Sequence, residues 1–202
     1  MGRKSTEERQ VEIKTAVLQI ISSEGIKSVS TKNIAKQTGL SEGAIFRHFK
    51  SKRDIMISII DDVSENMIEK LKDISLENTS ARDRLYRVIC KTISYLTENN
   101  GITILLFTEA SQANDVEMME KLNYLFKSQT EIAAKIINDG IDESIWNKNI
   151  SVEDVSTLYM GIPITNNIKL ILFKEEQGKD FCKRMMNLFE LILRPNEPLT
   201  PL

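Results

Sequence analysis

The stretch "TGLSEGAIFRHFKSK", residues 38–52, decides how this chain is interpreted. Two glycines and a serine precede a short run of bulky residues, and basic side chains follow between Arg47 and Lys52. Gly39 is typical of a helix C-terminus and Ser41 of a helix N-cap, so the chain turns sharply between two short helices. This spacing predicts a helix-turn-helix.

Helical patterns extend on both sides of that stretch. The first helix is predicted from about Thr6 to Glu24, because Ile13, Val17 and Ile20 recur at helical spacing. Two short helices follow, and then a long one with an apolar stripe. The predicted ranges from the second helix onward are 31–38, 42–49, 52–74, 80–98, 102–111, 115–139, 152–174 and 178–193.

The expected fold class is all-α, with about nine helices. A three-helix head carrying the helix-turn-helix occupies residues 1–54, and the long helix joins it to a helical body at 55–194. The proline-rich segment 195–202 reads as a flexible tail. Only 8 glycines and 4 prolines interrupt 202 residues, and this scarcity of breakers supports helices throughout.

The charge is divided unevenly along the chain. Residues 1–54 hold 11 Lys and Arg against 6 Asp and Glu, whereas residues 55–202 hold 16 against 23. A basic head on an acidic body suits a polyanion-binding module attached to a part that does not bind polyanions.

Location and redox state follow from what the sequence lacks. No stretch of about 18 apolar residues exists, and the polar N-terminus has no signal-peptide core, so we expect a cytoplasmic protein without a membrane partner. Cys90 and Cys182 each lie inside a helical pattern. We interpret both as reduced apolar side chains, with a redox switch as the alternative.

The helix at 42–49 meets the chemical demands of a DNA-reading helix. Its first turn must be slim, its inner face apolar, and one long side chain must reach bases in the major groove. Arg47 suits that last role because its guanidinium pairs bidentately with guanine, although a phosphate contact is the alternative. The slim first turn is Glu42, Gly43 and Ala44. The candidates for phosphate contacts are Thr31, Lys32, Ser41 and Lys52.

The segment "VSTKNIAKQTGLSEGAIFRHFKSKRDIM" resembles the DNA-binding domain of the TetR family of transcriptional regulators, over about residues 8 to 60. That family usually has a tyrosine where this chain has Phe46, and the phosphate contact of the hydroxyl is then lost. His48 is either a phosphate contact or a structural group. Gly43 either avoids a clash with DNA or serves the turn. These positions fall in the family register: Thr31, Ile34, Ala35, Gly39, Ser41, Gly43, His48, Phe49, Ser51 and Lys52.

The resemblance implies that the body binds a small molecule and forms a homodimer. In the family the last two helices pack against those of a second copy, which would place two reading helices about 34–36 Å apart on a palindromic operator. Pro163 is expected to kink the first of the two, either opening room for a ligand or shaping the interface. The candidate interface residues are Leu158, Ile162, Phe173, Phe181, Met185, Leu188 and Phe189.

The inducer is expected to be hydrophobic, because the candidate lining is flexible, aromatic and poor in charge. Each of these residues has ordinary core packing as its alternative. The candidates are Met67, Phe107, Met118, Leu122, Phe126, Trp146, Tyr159 and Asn166.

The expected function is therefore a repressor that leaves its operator when a ligand binds. A ligand-responsive activator and a helical interaction protein that has lost DNA binding are the alternatives. An enzyme is not expected, because the chain has one histidine and lacks a phosphate-binding loop, a nucleophile motif and a Cys/His cluster, so no cofactor or metal is predicted.

Overall fold

The computed structural model describes residues 4–99, 101–174, 178 and 180–195, and within them the chain is helical with no strand. The prediction of an all-α fold is confirmed. If residues 52–76 count as one helical stretch, the described chain has nine. The α-helices are α1 (Thr6–Glu24), α2 (Thr31–Thr38), α3 (Glu42–Phe46), α4 (Lys52–Val63), α5 (Glu69–Leu76), α6 (Ala81–Glu98), α7 (Ile102–Gln112), α8 (Val116–Asp142), α9 (Val152–Phe173) and α10 (Phe181–Leu193).

The first two helices have the ends that their sequences predict. Ser5 and Glu8 form a reciprocal capping box at the start of α1. Ser30 caps α2 by accepting a hydrogen bond from the Asn33 N–H, and Gly39 ends α2 in the left-handed conformation with a φ of +67°. Because these signals are local, both helices have the predicted bounds.

Three predicted helix ends differ from the structure by three residues, and one of them is the start of the last helix, which is expected at 178 and lies at Phe181. The α-helix expected over 42–49 ends at Phe46, and Arg47 is its C-cap. The helix expected to stop at Gly140 continues to Asp142, so this glycine is not a terminator. A Cβ at Gly140 would lie 2.1 Å from Cε3 of Trp146, so the glycine is needed to let the indole pack against the helix.

The long helix contains an unpredicted π-helical segment at Ser64–Ile68. Its apolar stripe repeats every four residues, whereas an α-helix turns once every 3.6, so the stripe would drift by about 40° at each step. The wider turn of a π-helix reduces that drift. All five members of the stripe are buried: Ile55, Ile59, Val63, Met67 and Leu71.

The chain forms two compact units. The first runs up to Val63 and includes Ile102–Leu122, and the second comprises Ser64–Gly101 and the chain from Asn123 onward. In the first unit α1 packs on α2 and α4, α2 on α3, and α4 on α7. In the second, α6 packs against α5, α9 and α10. No helix in the described part of the chain is long and apolar enough to cross a membrane.

Candidate nucleic-acid interface and effector region

Helix α3 is held by apolar side chains on one face. Ile45 is 1% exposed and Phe49, just beyond the helix, is 7% exposed. Ile34 of α2 is fully buried, and α2 packs against both α1 and α3. The Ser41 hydroxyl accepts a hydrogen bond from the Ala44 N–H at 3.1 Å and so fixes the start of α3. The short helix is thus anchored despite its length.

The opposite face of α3 is open. Glu42, Gly43, Phe46 and Arg47 are all exposed. A Cβ at Gly43 would meet nothing within 4 Å, and the glycine does not have a positive φ. The explanation that the turn requires Gly43 is therefore wrong, because an alanine would fit the free chain. Of the two explanations, clearance for a DNA backbone is the one that stays open.

A hydrogen bond joins two of the candidate DNA contacts. The Thr31 hydroxyl donates to Oε2 of Glu42 at 2.6 Å, which links the first turn of α2 to the first turn of α3. Lys32 beside it is exposed. The Thr31 hydroxyl can donate to a phosphate only if its hydrogen bond to Glu42 is broken.

His48 is half-buried and has a structural contact. Its backbone carbonyl accepts a hydrogen bond from Nε2 of Gln10 at 3.3 Å, which ties the end of the motif to α1. Its Nδ1 is buried without a hydrogen-bond partner among the described residues. Both alternatives for His48, a phosphate contact and a structural group, stay open.

Ion pairs connect α4 to α7 and the start of α8 inside the first unit. Nζ of Lys52 lies 2.9 Å from Oε1 of Glu109. Arg53 binds both carboxylate oxygens of Asp115, at 2.5 and 2.9 Å, and Oε2 of Glu117 at 2.7 Å. The hydrogen bonds from Arg53 hold the pKa of Asp115 below its ordinary value. Lys52, a candidate phosphate contact, is thus already paired in the free chain.

The candidate ligand-lining residues have two kinds of position. Phe107 and Phe126 are 50% and 48% exposed, so neither belongs to the interior of this single chain. The other six are buried, which is equally what core packing requires: Met67, Met118, Leu122, Trp146, Tyr159 and Asn166.

Two of the buried candidates have identified contacts in the second unit. Trp146 packs on Gly140, as described above. The Tyr159 hydroxyl lies 3.4 Å from Oγ1 of Thr92 on α6, and burial raises the pKa of Tyr159 to about 12. This tyrosine is therefore a neutral phenol at physiological pH.

The candidate dimer residues on α9 and α10 also divide. Leu158, Phe173 and Leu188 are more than half exposed, although they are large and apolar. Phe189 is 4% exposed and belongs to the core of its own chain, so it offers a second copy almost no surface. Three others are partly exposed: Ile162, Phe181 and Met185.

Comparison with known proteins agrees with this geometry. Residues 13–59 match the family model of bacterial regulatory proteins of the tetR family, and residues 47–194 match that of the C-terminal region of YsiA-like proteins. The chain belongs to the TetR family of transcriptional regulators. Its helix-turn-helix is a DNA-binding domain, and its C-terminal region is of the kind that binds ligands in this family.

Two relatives and one solved structure illustrate what this TetR-family chain is similar to. The fatty acid metabolism regulator protein of Bacillus subtilis (strain 168) is 28% identical over 153 residues, which are 76% of this chain and 78% of that one. The nucleoid occlusion factor SlmA of Vibrio atlanticus (strain LGP32) is 30% identical over 59% of this chain and 61% of that one. The structure of the Bacillus subtilis transcriptional regulator FadR in complex with stearoyl-CoA shares the fold, with a TM-score of 0.70 at 24% identity, and the match covers 91% of this chain and 97% of that one.

The described part of this TetR-family regulator contains no cluster of three or more His, Cys, Asp or Glu side chains suited to a metal ion. Both cysteines are free thiols of intermediate burial. Burial, together with the neighbouring Cys90, raises the pKa of Cys182 to about 12, which disfavours the reactive thiolate.

Sequence reasoning missed the partners of Lys52 and Arg53. Glu109, Asp115 and Glu117 lie 57 to 64 residues further along the chain. No local pattern marks such pairs, because surface charges are common in every helix. The one available signal is that Asp115 also occupies an N-cap position, where it accepts from the Met118 N–H at 3.1 Å.

Proposed function

We propose that this regulator is a homodimeric repressor that binds a palindromic operator and releases it when a fatty acyl compound occupies the C-terminal region. The observation that carries the DNA-binding part is the anchored α3, whose open face combines a glycine with free space and an exposed arginine. An activator would share this surface and differ only in the direction of its effect on transcription.

The chemistry of the open face suggests a role for each residue. Arg47 pairs with guanine in the major groove, and Ala44 meets a thymine methyl group. Glu42 and Phe46 lie beside them, and Gly43 gives clearance. The backbone contacts come from the flanking helix starts, at Thr31, Lys32, Ser41 and Lys52, with His48 as a further candidate.

Two of these contacts have competitors within the protein. Glu109 holds the ammonium of Lys52, and Glu42 holds the hydroxyl of Thr31. A DNA phosphate must replace each carboxylate, so the net gain from these contacts is smaller than their number suggests. The carboxylates of Glu42 and Glu109 also repel phosphate, which reduces the electrostatic part of the operator affinity. We therefore expect the base contacts of α3 to contribute a larger share of that affinity than they would if both carboxylates were absent.

Dimer formation is supported by the apolar surfaces of α9 and α10. Leu158 and Phe173 on α9 and Leu188 on α10 are exposed, and so are several isoleucines and leucines of the same two helices. Isolated soluble chains rarely leave such apolar surface in contact with water. A second copy that covers it would supply the two DNA-reading heads that a palindrome requires.

The ligand class is inferred from the relatives and from the interior. One relative is a regulator of fatty acid metabolism, and a structural neighbour was solved with stearoyl-CoA. The buried ligand candidates of the second unit, Met67, Trp146, Tyr159 and Asn166, are mostly apolar, and such side chains suit an acyl chain. We infer that ligand binding favours a dimer in which the two heads no longer match one turn of DNA.

Addition of stearoyl-CoA is expected to release the protein from its operator. Differential affinity for the two dimer conformations sets the size of the effect, and a coupling of about 10- to 100-fold in operator Kd is typical of allosteric proteins. Fluorescence anisotropy of labelled operator DNA measures this, with free coenzyme A as the control. Identical operator Kd values with and without stearoyl-CoA would contradict the proposed ligand class, while operator binding itself would still support the DNA-binding role.

A further inference from the structure

The buried side of α9 is more polar than a helix core usually is. Ser156, Tyr159, Asn166 and Asn167 are each 5% exposed or less, at the spacing of one helix face. The first two have partners: the Ser156 hydroxyl donates to the carbonyl of Val152 at 2.7 Å, and the Tyr159 hydroxyl lies beside Thr92 of α6. This face packs against α6 within the second unit.

Asn166 is the exception on this face. Its side chain is 1% exposed, and among the described residues neither Nδ2 nor Oδ1 has a hydrogen-bond partner. A carboxamide offers two donors and one acceptor, and folded proteins seldom bury one with none of them used. Burying it unpaired destabilises the free chain, so a group that pairs with it gains that difference on binding.

Pro163 adds a second polar atom on the same helix. It lies inside α9, is buried, and has no N–H to donate to the carbonyl of Tyr159 four residues earlier. That carbonyl lacks its ordinary helical donor. Within two turns, α9 therefore carries both an unused donor, at Asn166 Nδ2, and acceptors short of a donor.

Charge restricts what this site accepts. Arg84 is the buried cation among the described residues of the second unit, and its guanidinium binds Asp139 and Glu143. A carboxylate placed at Asn166 would find no free buried cation to offset its desolvation. A neutral carbonyl group carries no such penalty and accepts from Nδ2.

We infer that Asn166 is the polar recognition residue of the effector site, and that it selects neutral acyl derivatives, amides or esters, over the free carboxylate. The inference rests on the proposed function, because it concerns the same ligand. The amide Nδ2 donates to the acyl carbonyl, and Oδ1 and the Tyr159 carbonyl accept an N–H where the ligand has one. The apolar chain then lies among the buried aliphatic side chains of the second unit.

The test uses three probes of equal chain length: dodecanamide, methyl dodecanoate and dodecanoate. Binding to the full-length protein is measured by thermal shift and by titration of the intrinsic fluorescence of Trp146. For the wild type, the amide and the ester are expected to bind more tightly than the carboxylate. Asn166→Leu is expected to weaken the amide and the ester by roughly 3- to 10-fold, the equivalent of one hydrogen bond.

Two variants keep this test decisive. Asn166→Ser removes the amide with less change in packing, and it replaces Asn166→Leu if that variant does not fold. Ser156→Ala is the matched control, since its buried hydroxyl is already paired within α9, and it is expected to leave all three affinities unchanged.

The possible failures are distinct. If the wild type binds the amide and the ester but Asn166→Leu binds them equally well, the assignment of Asn166 is overturned and the proposed function stands. If the wild type prefers dodecanoate, the selection for neutral ligands is overturned. If the wild type binds none of the three and also fails to respond to stearoyl-CoA, the fatty acyl ligand class fails and this inference fails with it.

Discussion

Replacing Arg84 by methionine is expected to lower the free energy of unfolding by about 3 kcal/mol, the lower end of the range for breaking a buried ion pair. Arg84 is 6% exposed and binds Asp139 at 2.5 Å and Glu143 at 2.9 Å. It also donates to the carbonyls of Ser75 and Thr79. Both carboxylates are partly exposed, so in the variant water solvates them and offsets part of the lost interaction energy.

Urea denaturation followed by circular dichroism measures this change. Arg82→Met is the matched control, because Arg82 is 56% exposed and makes a single pair, at 3.3 Å, with the half-buried Glu190. That variant is expected to change stability by less than about 1 kcal/mol. An Arg84→Met protein as stable as Arg82→Met would contradict this account of the cluster.

The same cluster has a signature in pH. Burial alone would raise the pKa of Asp139, but hydrogen bonds from Lys135 and Arg84 outweigh it and hold the pKa below its ordinary value. Because the pKa of Asp139 is lower in the folded chain than in the unfolded chain, its ionised form stabilises the fold. This stabilisation is fully present above the ordinary carboxyl pKa, and it is lost as the pH falls through the pKa of the folded chain. The difference in stability between wild type and Arg84→Met is therefore expected to shrink in acid.

Leu188→Glu is expected to convert the proposed homodimer to a monomer and to weaken operator binding by roughly 10²- to 10⁴-fold, the factor lost when two linked sites act singly. Leu188 is 52% exposed on α10, and α9 also carries exposed apolar side chains. A carboxylate there would be buried without a partner in the dimer. In the monomer it stays in water, so the fold of each chain is retained.

Sedimentation velocity and operator titration measure both effects on one sample. The matched control is Leu76→Glu, the same substitution at a leucine of α5 that is 71% exposed and outside the proposed interface. That variant is expected to remain dimeric and to bind DNA normally. A dimeric Leu188→Glu protein would place the interface elsewhere on the chain.

Much of the fold is predictable because the signals are local. The bounds of α1 and α2 follow from Ser5, Ser30 and Gly39, whose side chains or conformations act within one turn. The apolar stripe of 55–71 predicts a buried face, which the structure confirms. The stripe does not reveal the π-helical segment, since a spacing of four residues fits both an α-helix and a π-helix.

What escapes prediction depends on contacts far apart in sequence. Gly140 looks like a helix terminator until the position of Trp146 is known. The pairs of Lys52 with Glu109 and of Arg84 with Asp139 join residues 57 and 55 positions apart. The orphaned amide of Asn166 is likewise invisible in sequence, where it is one asparagine among many.

We propose that α3 and its C-cap Arg47 read a palindromic operator. Selection of binding sites from random duplex DNA, run in parallel on the wild type and Arg47→Ala, tests it most directly. We expect a palindromic wild-type motif that loses one guanine preference per half-site in the variant, at a cost of about 1–3 kcal/mol per base contact. An identical motif for both proteins would make Arg47 a phosphate contact, and no enriched motif for the wild type would contradict sequence-specific DNA binding by this surface.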